Sequence, residues 1–105
     1  MSQDETGILL VEDNPHDVEL ALHALKLTHL VERVDVVRDG AEALAFIFCA
    51  GAYAHRNIGN GPKLILLDLK LPKMDGLEVL QRIKSDARTR QFPVVMLTTS
   101  REERD

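Results

Sequence analysis

Three short, unbroken apolar runs punctuate the chain: Ile8 to Val11, Leu64 to Leu67 and Val94 to Leu97. Each is about as long as a strand and none alternates, the pattern of strands covered on both faces, so together they predict the middle of a parallel sheet. A fourth segment, Val34-Asp35-Val36-Val37, alternates in part and suits a strand nearer the edge. Between the runs, apolar residues recur at helical spacing: Val18, Leu22 and Leu25, then Leu44, Ile47 and Phe48, then Leu77, Leu80, Ile83 and Ala87. Start signals precede each set. Asn14 can cap the first helix, with Pro15 at its first helical position and Asp17 in its first turn. Asp39 with Glu42, Asp75 with Glu78, and Ser100 with Glu103 have the spacing of a capping residue and its partner. Strands alternating with helices predict an α/β fold with right-handed crossovers. The stretch from Gly51 to Pro62, rich in glycine and asparagine, reads as a helix end followed by a long surface loop.

With 105 residues the chain is expected to form one domain with one core. The balance of 45% hydrophobic and 29% charged residues fits an ordinary soluble protein, and no apolar run approaches the length of a membrane span. The polar, acidic start from Met1 to Thr6 does not read as a secretory signal, so a cytoplasmic location is the default expectation. A net charge of −4 argues against nucleic acid or an anionic membrane as partner and favours cations and basic proteins. The single cysteine, Cys49, follows Leu44-Ala45-Phe46-Ile47-Phe48 and is expected to be a buried helical thiol without chemistry. His16, His23, His29 and His55 form no zinc-binding pattern, and no glycine-rich phosphate loop with a lysine is present.

The chemistry is concentrated where apolar runs stop. Glu12 and Asp13 follow the first run and Asp68 follows the third, so a parallel sheet would bring all three carboxylates to its carboxyl edge. Open α/β sheets place their sites there, and in the flavodoxin-like strand order the first and third strands are neighbours. Gathered carboxylates raise one another's pKa unless a proton or cation intervenes. Mg²⁺ suits such a set, because it takes oxygen ligands and typically uses one or two carboxylates alongside phosphate oxygens. The plainer alternatives are that Asp68 ends a strand, that Glu12 and Asp13 complement a helix N-terminus, and that Thr98 is a core hydroxyl.

Three successive segments carry a resemblance. Ile8-Leu9-Leu10-Val11-Glu12-Asp13-Asn14, Asp68-Leu69-Lys70-Leu71-Pro72-Lys73-Met74-Asp75-Gly76 and Pro93-Val94-Val95-Met96-Leu97-Thr98-Thr99-Ser100 are similar to the signatures of response regulator receiver domains, in the same order and spacing. The segment before Lys63 and the run Leu97 to Ser100 further resemble single-domain regulators paired with phytochrome-type histidine kinases. The resemblance implies a flavodoxin-like (CheY-like) parallel sheet with helices on both faces. It implies that Asp68 accepts a phosphoryl group from a histidine kinase, in a Mg²⁺-dependent phosphorelay, and that the domain signals through contact with a downstream protein. Asp13 would bind Mg²⁺ directly, Glu12 directly or through water, and Lys70 through its backbone carbonyl. Thr98 would turn its hydroxyl toward the phosphoryl oxygens. Pro72, Asp75 and Gly76 would shape the turn and cap the next helix. Measured against the family, residues 1–105 would be a receiver lacking the fifth strand and last helix, together with the lysine that contacts the phosphoryl group. Val94 to Leu97 would then be an edge strand, open to homodimer formation or domain exchange. Two alternatives stand beside this reading. One is a non-phosphorylated interaction domain that keeps the fold; the other is a phosphatase passing through an aspartyl phosphate, which usually has a second aspartate where this chain has Lys70.

Overall fold

The computed structural model describes residues 7–28, 33–71 and 74–97. Strand β1 (Ile8–Val11) leads into helix α1 (Pro15–Thr28), β2 (Val34–Val37) and α2 (Gly40–Ile47). Two single 3₁₀ turns, Gly51–Tyr53 and Ile58–Asn60, connect α2 to β3 (Leu64–Asp68), which is followed by α3 (Gly76–Ser85) and β4 (Val94–Leu97). All pairings are parallel and the sheet order is β2-β1-β3-β4. The chain therefore has the doubly wound arrangement expected of the apolar runs. Val34–Val37 lies at one edge of the sheet, where its partial alternation placed it. Among the described residues β4 lies at the other edge, with Val95 46% exposed.

All of β1 is buried. Leu9 and Val11 pack into one cluster with Ala43, Phe46 and Ile47 of α2 and Val79 and Ile83 of α3. Ile8 and Leu10 project from the opposite face of the strand and are buried too, so both faces of β1 are covered. A fully buried leucine or isoleucine contributes about 1.5–3 kcal/mol, and this central strand accordingly holds the site rigidly from below.

The third helix departs from its expected stripe. Leu77 is 57% exposed, and Ala87 lies outside the helix, which ends at Ser85. Gly76, Val79 and Ile83 face inward, with Leu80 half-buried. A Cβ at Gly76 would stand 2.3 Å from the carbonyl oxygen of Asp68, so the helix can approach the β3 turn only with glycine at that point. That contact sets the rotation of α3, and Leu77, about 100° further round, faces solvent. In α2 the inward residues are Gly40, Ala43, Phe46 and Ile47, while Leu44 and Phe48 flank the core.

The caps behave in part as their spacing suggests. Asp39 Oδ1 accepts from the Glu42 N–H at 2.7 Å, but Glu42 reaches back to the Arg38 N–H, at 3.1 Å, rather than to that of the cap. Asp75 Oδ1 accepts from the Leu77 N–H at 2.9 Å, and Glu78 pairs with Arg82 instead of closing a box. The Ser100–Glu103 pair lies outside the described residues, as does Pro72.

The segment after α2 is anchored rather than a plain surface loop. Tyr53 packs edge-on against Phe46, with ring centroids 4.9 Å apart, and donates its hydroxyl proton to Glu42 at 2.8 Å. Arg56 is buried, with its guanidinium 3.8 Å from the Phe46 ring centre. Cys49 is not helical. It follows the helix C-cap Phe48 with φ 56°, and it is half-buried. Its N–H donates to the Phe46 carbonyl at 3.3 Å while that of Ala50 donates to the Ala45 carbonyl at 2.9 Å, the pair of bonds that ends many helices. The apolar run before Cys49 predicts continuation of the helix, but these bonds close it first.

Candidate functional site

The parallel register places Val11 opposite Leu67, so the next residues, Glu12 and Asp68, emerge side by side at the carboxyl edge. The backbone ladder holds them there. Glu12 N–H donates to the Val37 carbonyl at 3.0 Å and Leu69 N–H to the Leu97 carbonyl at 3.2 Å, which ties both residues to their outer neighbours β2 and β4. Glu12 and Asp68 are buried, at 3% and 0% exposure, and Asp13 is half-buried. One carboxylate oxygen from each of Glu12, Asp13 and Asp68 can be chosen so that all lie within 4.8 Å of one another. Residues more than fifty positions apart in the chain thus share one small volume.

Local structure orients each member. Glu12 Oε2 accepts from the Asn14 N–H at 3.2 Å. Asn14 Oδ1 in turn accepts from the N–H groups of His16 and Asp17, at 2.8 and 3.3 Å, and so caps α1 as its position suggested. Asp68 Oδ1 accepts from the Lys70 N–H at 3.4 Å, a long contact that turns the backbone immediately after the strand. The Gly76 N–H closes that turn on the Leu69 carbonyl at 3.0 Å, and Met74 packs over Gly40 at the start of α2. Pro72 aside, the positional roles read for Asp75 and Gly76 agree with these contacts.

Burial pushes the Glu12 carboxyl up to about 7 from 4.5; the Asn14 N–H opposes the rise, and the negative charges of Asp68, Asp17 and Asp13 add to it. Asp17, in the first turn of α1, complements the helix dipole, and its charge also reaches the cluster. Its place one helical turn beyond Asp13 was the available signal. Thr98 lies outside the described residues; the register pairs its predecessor, Leu97, with Asp68.

The three carboxylates are hard oxygen donors gathered in one small volume, and the burial and like charges that raise the Glu12 carboxyl are of the kind a divalent cation relieves. The residues present therefore fit a divalent metal ion.

The model of the response regulator receiver domain matches residues 8–105. The chain belongs to the response regulator receiver family. This receiver is 45% identical over 98 residues to response regulator Rcp1 of Synechocystis sp., a match covering 93% of the chain and 65% of Rcp1. The chain thus spans just under two thirds of that relative's length. Its fold matches the Mn²⁺-bound form of Rcp1 with a TM-score of 0.81 at 44% identity, over 90% of this chain and 66% of the other. The bacteriophytochrome response regulator AtBRR matches with a TM-score of 0.85 at 55% identity, over 96% and 71% of the two chains. The phosphorylated cyanobacterial phytochrome response regulator RcpA matches at 0.81 and 48%, over 91% and 66%. No helix among its described residues is long and apolar enough to cross a membrane.

Proposed function

We propose that residues 1–105 act as a phosphoacceptor signalling domain in a two-component pathway, with Asp68 as the residue that takes the phosphoryl group. The observation that carries this reading is the convergence of Glu12, Asp13 and Asp68 within 4.8 Å at the carboxyl edge of the sheet. In the proposed reaction an Asp68 carboxylate oxygen attacks the phosphorus of a phosphohistidine. A phosphorus–oxygen bond forms, the phosphorus–nitrogen bond breaks, and the imidazole leaves with the electron pair of that bond. Covalent transfer to a carboxylate needs alignment and charge neutralisation more than further covalent assistance.

Glu12, Asp13 and Asp68, with the backbone carbonyl of Lys70, would hold Mg²⁺. A bound divalent ion would offset the negative charge that builds up on the phosphoryl oxygens beside these carboxylates. Asp13, the more exposed member, is suited to direct ligation. Glu12, whose carboxyl burial pushes up to about 7, is suited to a water-bridged role. Thr98 would donate its hydroxyl to the phosphoryl oxygens and so register the modified state.

The phosphodonor would be a histidine kinase, and the resemblance to Rcp1, AtBRR and RcpA favours one of phytochrome type. The domain would work in the cytoplasm and signal by contact with a downstream protein. Exposed Val95 on β4 supports pairing with a second copy, as a dimer or through strand exchange, which sedimentation across a concentration series would detect.

Incubation with Mg²⁺ and acetyl phosphate, followed by intact mass measurement, tests the reading. Wild type gains one phosphoryl group, whereas Asp68→Asn gains none. An unmodified wild type would favour an interaction domain, and rapid multiple turnover with free phosphate a phosphatase. The residue at position 70 weighs against the second, since Lys70 stands where such hydrolases usually place an acid.

A further inference from the structure

Cys49 occupies a position that the helix end reserves for a left-handed backbone. Its φ of 56° is the one positive value among the described non-glycine residues. Glycine is the usual solution there, since a Cβ crowds the following carbonyl. The side chain is therefore present against the backbone's preference, and what it touches is unusual. Cys49 Sγ lies 3.8 Å from Arg56 Nη1 and 4.0 Å from the Ile47 carbonyl oxygen.

Arg56 supplies a second, independent observation. It is 8% exposed, its guanidinium lies over the Phe46 ring, and Nη1 also donates to the Phe46 carbonyl. Nη2 is buried and has no hydrogen-bond partner. No carboxylate among the described residues forms a salt bridge with it. A guanidinium taken out of water costs free energy unless its donors and its charge are met, and here Nη2 is unmet, on the same guanidinium whose Nη1 faces the thiol. The contacting side chain that can become an oxygen anion is Cys49.

We propose that Cys49 is a peroxide-sensitive modification site whose oxidised sulfur is held as a sulfenate by the Arg56 guanidinium. In the step, sulfur attacks one peroxide oxygen, forming a sulfur–oxygen bond as the oxygen–oxygen bond breaks. Sulfur is oxidised by two electrons and the peroxide is reduced; the departing hydroxide takes the thiol proton and leaves as water. The sulfenic acid then gives its own proton to solvent, and its oxygen accepts from Nη2. Cationic neighbours and partial exposure mark the cysteines that enter this chemistry, and Cys49 has both. The chain has a single cysteine, so no internal thiol can resolve the product into a disulfide. The sulfenate persists until a thiol from another molecule reduces it.

The test treats the whole chain with dilute hydrogen peroxide in the presence of dimedone, which traps sulfenates and not methionine sulfoxides, and follows the adduct by intact mass. Native protein is expected to form the adduct about tenfold faster than the same protein unfolded in urea, the gain of one charge-assisted hydrogen bond. A native rate equal to or below the unfolded rate would mean a merely sheltered thiol and would overturn the proposal. Arg56→Gln is expected to lose most of the acceleration and Arg56→Lys to recover part of it; an Arg56→Gln rate equal to wild type also overturns it. Should Arg56→Gln fail to fold, the comparison of native with unfolded wild type decides alone. Asp68→Asn is expected to leave the rate unchanged, which keeps this result separate from the phosphoryl reading.

Discussion

Replacing Glu12 with glutamine keeps its shape and its capacity to accept from the Asn14 N–H while removing one charge from the acidic cluster. A rise from 4.5 to about 7 means that the folded, metal-free protein disfavours the Glu12 carboxylate relative to the unfolded chain. At about 1.4 kcal/mol for each factor of ten, the full penalty is roughly 3 kcal/mol. The sign follows from proton counts. Below pH 4.5 the group is neutral in both states and costs nothing; between 4.5 and about 7 the unfolded chain ionises first, so stability falls as pH rises; above about 7 the whole penalty is present. Glu12→Gln is therefore expected to unfold at higher urea concentration than wild type near pH 8 in EDTA, by roughly 2–3 kcal/mol, with the difference closing as pH falls toward 4.5. Magnesium is expected to stabilise wild type more at pH 8 than at pH 6, because below about 7 protons compete with the ion for Glu12. Urea titrations across this range, with and without the ion, provide the measurement. A glutamine variant that is less stable than wild type at pH 8, or whose difference does not change with pH, would refute the reasoning, since either result would mean that the carboxylate is not penalised in the fold.

Three further outcomes are expected. Gly76→Ala introduces a Cβ 2.3 Å from the Asp68 carbonyl oxygen, and should cost about 2 kcal/mol despite alanine's better helix propensity, with slower acetyl phosphate labelling as Asp68 shifts; an unchanged melting temperature would contradict it. Cys49→Gly relieves the left-handed backbone at φ 56° and should gain about 1 kcal/mol, raising the melting temperature by several degrees in a calorimetric scan. Thr89→Val removes the buried hydroxyl that donates to the Ile83 carbonyl at 2.7 Å, and should lower stability by about 1–2 kcal/mol in urea titration although the side-chain volume is nearly the same.

The apolar runs, the caps and the acidic residues that follow the runs were legible because they are local. A strand buried on both faces has to be apolar throughout, and Ile8–Val11 could be recognised from that alone. A cap is a contact across three positions, and Asn14, Asp39 and Asp75 cap helices in the structure. The neighbourhood of Glu12, Asp13 and Asp68 could be inferred because parallel strands bring their carboxyl ends to one edge. Rotation of α3 was not legible, since Leu77 and Val79 are both apolar and only the approach of Gly76 to the Asp68 backbone selects which turns inward.

The burial of Arg56 was hidden for a related reason. A stretch of glycine and asparagine resembles solvent-exposed loop, and the Phe46 ring that receives the guanidinium comes from a different element. Likewise Cys49 follows an apolar helical run, and the bonds that end the helix before it depend on backbone geometry rather than on residue type. Thr89 and Phe92, polar and aromatic in a short connection, acquire their buried positions from Ile83 and Gly61. Periodicity and spacing determined which elements form and where carboxylates gather, because neighbours along the chain settle both. Which face turns inward, which cation is buried and how strongly Glu12 resists ionisation were decided only by packing, because each depends on atoms supplied from distant parts of the chain.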